Sequence, residues 1–231
     1  MTGPAVLVAG ASGGIGRAIV RDLLEAGIEV LLLGRDMLRL RAVVPSQHLA
    51  LAEFLAADLG DAAAVQDVGA ALDRRDRLDA LILTSGIYER SSDPAGLARQ
   101  LTANVVGPYA LVRAALPMLE KSRGDIVFVN SSQALRSSGL VGQYAASMHA
   151  MKAIADSLRE EVNQSGIRVA SLFLGRTAGD RQEMIYALEG RSYVPEALIQ
   201  PDDVAQTVRF LLQLPRTAEV TDLSIRSAQK P

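Results

Sequence analysis

Gly10-Ala11-Ser12-Gly13-Gly14-Ile15-Gly16-Arg17 follows directly on an apolar run at 5–9 and leads straight into a stretch of helical period. That arrangement suits one chemistry well. A pyrophosphate needs backbone N–H groups at a helix N-terminus and no side chains in the way. Gly10, Gly14 and Gly16 supply the tight turn, the close approach and the tight packing of helix on strand, so the loop predicts dinucleotide binding. The competing reading is a glycine-rich turn without a ligand, and the strand–loop–helix context weighs against it. Metal and thiol chemistry find no such support. The chain has no cysteine and only two histidines, His48 and His149, far apart in sequence, so no metal site is expected.

The loop needs a sheet behind it, and the pattern supplies one. Apolar runs of strand length alternate with stretches of helical period, as in a parallel sheet wrapped by helices. Strands are predicted at 5–9, 29–33, 51–56, 80–84, 125–130, 168–173 and 223–226. Helices are predicted at 15–25, 37–43, 62–73, 95–120, 143–163, 181–188 and 202–212. Gly27 and Gly166 end the first and fifth of these, and Pro201-Asp202-Asp203 opens the last. The third strand is the most ambiguous element, because the stretch from Leu49 to Leu59 also reads as helix. The expectation is one α/β domain over 1–231, a doubly wound parallel sheet of order 3-2-1-4-5-6-7 between two helical layers.

Composition narrows the classes. In 231 residues, 49% are hydrophobic, ample for a buried core. The net charge is −2 with both signs scattered, so no nucleic-acid or anionic-membrane partner is expected. No apolar run reaches the ~18 residues of a membrane span, and the opening residues read as a buried strand rather than a signal peptide. A cytoplasmic protein is expected.

The GxxxGxG spacing of the loop resembles that of the short-chain dehydrogenase/reductase family, and the resemblance runs almost the whole chain, loosest at the C-terminal end. Asp58-Leu59 falls where the family meets the adenine. Leu83-Thr84-Ser85-Gly86 falls at its Asn-Asn-Ala-Gly, keeping only Gly86. Asn104 lies at the helix asparagine, Asn130-Ser131-Ser132 ends the fifth strand, and Tyr144 opens the next long helix. Leu174-Gly175-Arg176-Thr177 takes the place of Pro-Gly after the sixth strand. The cofactor set implied is Gly10, Ser12, Gly13, Gly14, Ile15, Gly16, Arg35, Asp58, Leu59, Gly86, Tyr144 and Thr177. Members that prefer NAD resemble one another in an acidic residue at the end of the second strand. Here that position is Gly34, followed by Arg35, which is placed to pair with a 2′-phosphate. NADP(H) is therefore expected over NAD(H), although Asp36 would repel the phosphate if it pointed inward, and Arg35 could instead be a solvated loop residue.

The resemblance also implies hydride transfer between a nicotinamide and a carbonyl or alcohol carbon. Tyr144 then acts as acid and base, Ser131 orients the oxygen and Asn104 serves the proton relay. Ser131 lies thirteen residues before Tyr144, a spacing that favours it over Ser132. The family's lysine, four residues after the tyrosine, is missing: Met148 stands there. A phenol of pKa ~10 is a poor base at neutral pH, and the lysine's role is to lower it. Methionine fills the slot without the charge, whether as an inactivating replacement or as a natural change of chemistry. Lys152, two turns beyond Tyr144, is either a stand-in or a surface lysine, and His149 is expected to be a packing or interface residue rather than a base.

The expected activity is thus NADP(H)-dependent interconversion of a small-molecule carbonyl and alcohol, impaired by Met148. The rivals are an NADP(H)-binding sensor or scaffold without turnover, and an altered chemistry such as enoyl or imine reduction or a cyclisation. The segment 176–199 is expected to cover the substrate. The two long helices are expected to pair with their copies in a homodimer or homotetramer.

Overall fold

The computed structural model describes residues 3–75, 77–139 and 141–229. Seven strands, β1 (Ala5–Ala9), β2 (Glu29–Gly34), β3 (Ala52–Ala56), β4 (Ala80–Leu83), β5 (Asp125–Ser131), β6 (Arg168–Leu174) and β7 (Asp222–Ile225), form one sheet of order β3-β2-β1-β4-β5-β6-β7. Every pairing is parallel. The chain starts at the sheet's centre, runs outward to β3, then crosses back to β4 and on to β7, which is the Rossmann-type winding the sequence predicted.

The strands are buried on both faces, so they read as continuous apolar runs, and alternate residues serve opposite layers. Leu7, Leu31, Leu33, Leu81, Ile126 and Phe128 belong to one core cluster. Val6, Val8, Val30, Leu32, Ile82 and Val127 belong to the other. The first layer is closed by α3 (Ala62–Leu72), α5 (Gly107–Ser122) and α6 (Gly142–Val162), the second by α1 (Gly14–Glu25), α2 (Met37–Arg41) and α8 (Pro201–Gln213). Removing a fully buried leucine such as Leu7 or Leu31 from either cluster would cost about 2–5 kcal/mol.

Local rules set the helix ends. Asp36, Asp61 and Asp93 each accept a backbone N–H from the first turn of α2, α3 and α4 (Pro94–Leu101). Gly27 and Gly166 take left-handed conformations, φ +75° in both, just beyond the first and sixth helices. At α8 the Gln200 N–H donates to Asp203 at 2.9 Å, completing a capping box behind Pro201.

Two differences from the sequence expectation matter. The ambiguous third strand is real but half-exposed along its length. It pairs only with β2 and follows a 3-10 turn, Ser46–Leu51, which accounts for its weak pattern. The helix expected at 95–120 is interrupted. A π-helical turn, Thr102–Val106, joins α4 to α5 and carries Asn104 at its centre. No helix among the described residues is long and apolar enough to cross a membrane.

Candidate active site

The carboxyl ends of the strands open onto a cleft of about 770 Å³. Its floor is the glycine loop between β1 and α1. Gly10 has φ +82°, and a Cβ there would sit 2.7 Å from both the Ser85 nitrogen and Thr84 Oγ1. A Cβ on Gly16 would come within 2.2 Å of the Gly10 carbonyl oxygen. One on Gly14 would meet nothing within 4 Å, so that backbone faces open space. The turn is closed by the Gly13 N–H donating to the Gly10 carbonyl at 3.0 Å. Thr84 braces it from β4, its hydroxyl donating to the Ala9 carbonyl at 2.7 Å. Nothing in the chain's spacing had singled out Thr84.

Ser12, Gly13, Gly14, Ile15 and Gly16 line the cleft with Arg17, Arg21 and Arg39. A Cβ on Gly34 would lie 3.6 Å from Ser12 Oγ, so the end of β2 borders the loop. Arg35 follows it and is exposed, but it is not among the lining residues, whereas Arg39 is. The Asp36 carboxylate is occupied at the start of α2, accepting from the Leu38 and Arg39 N–H groups at 2.9 and 3.2 Å. Asp58 is exposed and turns back to accept the Gly60 N–H at 2.9 Å. The Leu59 carbonyl lies where Gly107 alone permits it, since a Cβ there would be 2.2 Å away.

Asn104 is almost fully buried, 1% exposed, and completely used. Its Oδ1 accepts the Ile87 N–H at 2.7 Å, and its Nδ2 donates to the Ile87 carbonyl and to Ser147 Oγ, both at 3.0 Å. Ser147 in turn donates to the Tyr144 carbonyl at 2.8 Å. A Cβ on Gly86 would lie 2.9 Å from Asn104 Oδ1, so glycine is needed there. The π-turn therefore ties the loop after β4 to the first turn of α6. Such turns often mark functional sites.

Tyr144, Ser131 and Ser132 line the same cleft as the glycine loop. Asn130 fixes the serine: its Oδ1 accepts the Ser131 N–H at 2.7 Å while its Nδ2 donates to the Met148 carbonyl at 3.2 Å. Tyr88 meets the Tyr144 ring edge-on at 5.1 Å. Desolvation pushes the Tyr144 phenol above its ordinary range; the Arg181 charge and the Ser131 hydroxyl oppose that rise, and Tyr88 adds to it. Met148 is 7% exposed and packs with Ala134, Phe173 and Tyr144 in a small apolar cluster. Lys152 is committed elsewhere. Its ammonium binds Asp156 at 2.6 Å, one turn further along α6, and lies 5.8 Å from the Phe173 ring centre. His149 is exposed, with Nδ1 at 2.9 Å from the Ala145 carbonyl.

The segment after β6 forms the opposite wall. Thr177 makes a lone parallel bridge to Ile199, and α7 (Asp180–Leu188) contributes Asp180, Arg181, Gln182 and Ile185 to the cleft lining. Arg181 donates to the Gly86 carbonyl at 2.6 Å. Arg90 donates to Tyr88 Oη and to Glu189, each at 2.8 Å, and Arg176 also binds Glu189 at 2.8 Å. Sequence spacing could not reveal this arginine group, because Arg90 and Glu189 are 99 positions apart.

Comparison with known proteins bears on the family and the fold. Residues 4–188 match the family model described as short chain dehydrogenase. An uncharacterised short-chain type dehydrogenase/reductase from Sinorhizobium fredii is 31% identical over 95% of this chain and 89% of its own. The L-fucose dehydrogenase of Mus musculus is 30% identical over 91% and 82% respectively. Among solved structures, a metagenomic short-chain oxidoreductase in complex with NADP superposes with a TM-score of 0.82, at 27% identity over 99% of both chains. The chain belongs to the short-chain dehydrogenase family of oxidoreductases.

Proposed function

We propose that the protein interconverts a small-molecule carbonyl compound and its alcohol using NADP(H), with Tyr144 as the proton carrier. The observation that carries this reading is the opening of Tyr144 and Ser131 onto one cleft with the glycine loop. The loop fits a dinucleotide: Gly14 presents bare backbone to the cleft at the start of α1, where a pyrophosphate finds N–H donors. When bound, the nicotinamide supplies or accepts the hydride.

The chain's own residues do the rest. In the reducing direction the Tyr144 hydroxyl gives its proton to the substrate oxygen, and in the oxidising direction the phenolate takes it back. Ser131 donates a hydrogen bond to that oxygen and orients it. Asn104, expected in the proton relay, is read instead as a positioning residue, because its side chain is taken up by the Ile87 backbone and Ser147. Gly10, Ser12, Gly13, Gly14, Ile15 and Gly16 hold the pyrophosphate, Asp58 and Leu59 border the adenine, and Gly86 and Thr177 border the nicotinamide half. The segment 176–199 covers the substrate and excludes water.

Preference for NADP(H) over NAD(H) rests on the lack of an acceptor at Gly34 and on the guanidinium groups of Arg35 and Arg39. The capping role of Asp36 supports it, because that carboxylate already serves two N–H donors. Met148 occupies the position from which a lysine would lower the phenol pKa, and we assign impaired turnover to it. The same apolar residue favours one alternative, an NADP(H)-binding protein without turnover. We further propose a cytoplasmic single-domain chain that works as a homodimer or homotetramer, to which the exposed Val106 and Tyr109 on the long-helix surface lend support.

The test is NADPH consumption across a panel of aldehydes, ketones and quinones, with NADP and alcohols in the reverse direction. Turnover that disappears in Tyr144→Phe with NADPH binding retained supports the proposal. NADPH binding without turnover in either direction moves the non-catalytic reading ahead.

A further inference from the structure

We infer that Arg181 supplies the positive charge beside the Tyr144 phenol, reaching it from α7 through an anchor on the Gly86 carbonyl. This rests on the reading of Tyr144 as the proton carrier. A desolvated phenol gives up its proton to leave an anion, and an anion in such a place needs a cation near it. The candidate cations around Tyr144 can be taken element by element. On its own helix, Met148 is neutral and Lys152 is bound to Asp156. His149 is exposed and bonded to the Ala145 carbonyl. From the loop after β4, Tyr88 faces the Tyr144 ring, while Arg90 is held by Tyr88 Oη and Glu189. Beyond β6, Arg176 is paired with the same Glu189, and Arg191 lies 3.7 Å from it.

Arg17, Arg21 and Arg39 also line the cleft, but from α1 and α2 beside the glycine loop, and none of them bears on the phenol. Arg181 differs from all the other cations around Tyr144. No carboxylate neutralises it among the described ion pairs, and its one hydrogen bond is to a neutral backbone carbonyl. It lines the cleft with Tyr144 and Ser131, and its charge is the chief influence opposing the rise of the phenol. The anchor is itself placed by the site, because Gly86 packs on Asn104, which binds Ser147 in the second turn of α6. The charge therefore arrives with α7. With the segment over the cleft, the guanidinium is set on the phenol's side of it; when the segment opens, water enters and the phenol loses that cation. Substrate coverage and readiness of the acid are coupled through one side chain.

The experiment compares Arg181→Gln, which removes the charge, with Arg181→Lys, which keeps it. The first readout uses the ligand-free protein: phenolate absorbance against pH, with the Tyr144→Phe trace subtracted. The second is the pH profile of NADPH-dependent turnover. The expected result is a Tyr144 titration displaced to higher pH in Arg181→Gln, with turnover falling roughly tenfold for each unit of displacement. Arg181→Lys should recover most of both. An Arg181→Gln protein that titrates as the parent does would overturn the inference, whatever its activity. If Tyr144→Phe turns over like the parent, the function proposed above fails, while the titration still judges Arg181 on its own.

Discussion

Met148→Lys is the most informative single change, because the structure sets its cost against its gain. The site is 7% exposed and bounded by Ala134, Phe173 and Tyr144. Methionine and lysine have nearly the same length, so packing changes little and the cost is desolvation of an ammonium. A loss of about 1–3 kcal/mol is expected, read as a fall in Tm of about 2–4 °C per kcal/mol for a chain of this size. On the other side, an opposite charge within ~4–6 Å of an acid favours its ionised form by about 1–3 pKa units, each worth ~1.4 kcal/mol. Arg181 already supplies part of this, and two cations acting on one phenol do not add in full. Turnover should therefore rise by roughly tenfold in the parent and by roughly a hundredfold in an Arg181→Gln background. The assay is NADPH oxidation with the carbonyl panel over a range of pH, alongside thermal unfolding. Adding Tyr144→Phe should abolish the gain, and adding Lys152→Ala should leave it intact. Equal rates for the parent and Met148→Lys across that range would refute the argument that position 148 is where a cation is missing.

NADPH should bind at least about tenfold more tightly than NADH, one charge-assisted contact's worth. Replacing Arg35 and Arg39 together by alanine should erase most of that gap by calorimetry, while equal affinities in the parent would remove the basis for the assignment. Gly16→Ala places a methyl 2.2 Å from the Gly10 oxygen; it should cost about 1–3 kcal/mol in urea unfolding and weaken dinucleotide binding at least about tenfold. A parental Tm and affinity would contradict the packing described for the loop. Asp125→Ala strips the carboxylate from Arg168, bound to it at 2.7 and 2.8 Å, and from Arg216 at 2.8 Å. The change should cost about 3–5 kcal/mol with NADPH affinity unchanged, since the network lies away from the cleft. Light scattering at micromolar concentration should give two or four chains per particle, and a sharp monomer peak would dismiss the oligomer.

What the sequence disclosed depended on how local each signal was. β1 was legible to the residue, because Pro4 and Gly10 bracket an uninterrupted apolar run. β3 was predicted to within one residue but with helix as a competing reading, since a half-exposed edge strand has neither a continuous apolar run nor a clean alternation. The π-turn was invisible, because one extra residue inside a helix leaves the apolar periodicity on either side intact. Tyr144, Ser131 and Asn104 were pointed to by the family resemblance; Tyr144 and Ser131 line one cleft, and Asn104 reaches the start of α6 through Ser147. The arginines were a different matter. Arg181 reaches Gly86 across 95 positions, a contact between α7 and the loop after β4, and local spacing carries no trace of it. The capping role of Asp36 was open to sequence reasoning, as an acidic residue just before a short helix, yet it was read only as a charge facing a ligand.

The π-turn has a mechanical consequence. One residue of α-helix is about 100° of rotation, so an added residue at Thr102–Val106 gives the segments before and after it separate azimuths. Ahead of the turn, Gln100 is directed to the Glu89 N–H and the Gln143 side chain. Behind it, Leu111, Val112, Ala115 and Leu119 are directed into the core beneath the sheet. A regular helix through the same span would have to compromise between these two bearings. Here the turn acts as a vernier: the core half can be repacked as its cluster demands while Asn104 keeps its aim. Deleting any one residue between 102 and 106 would force the two halves back onto a common bearing and swing either Gln100 or the leucines off target.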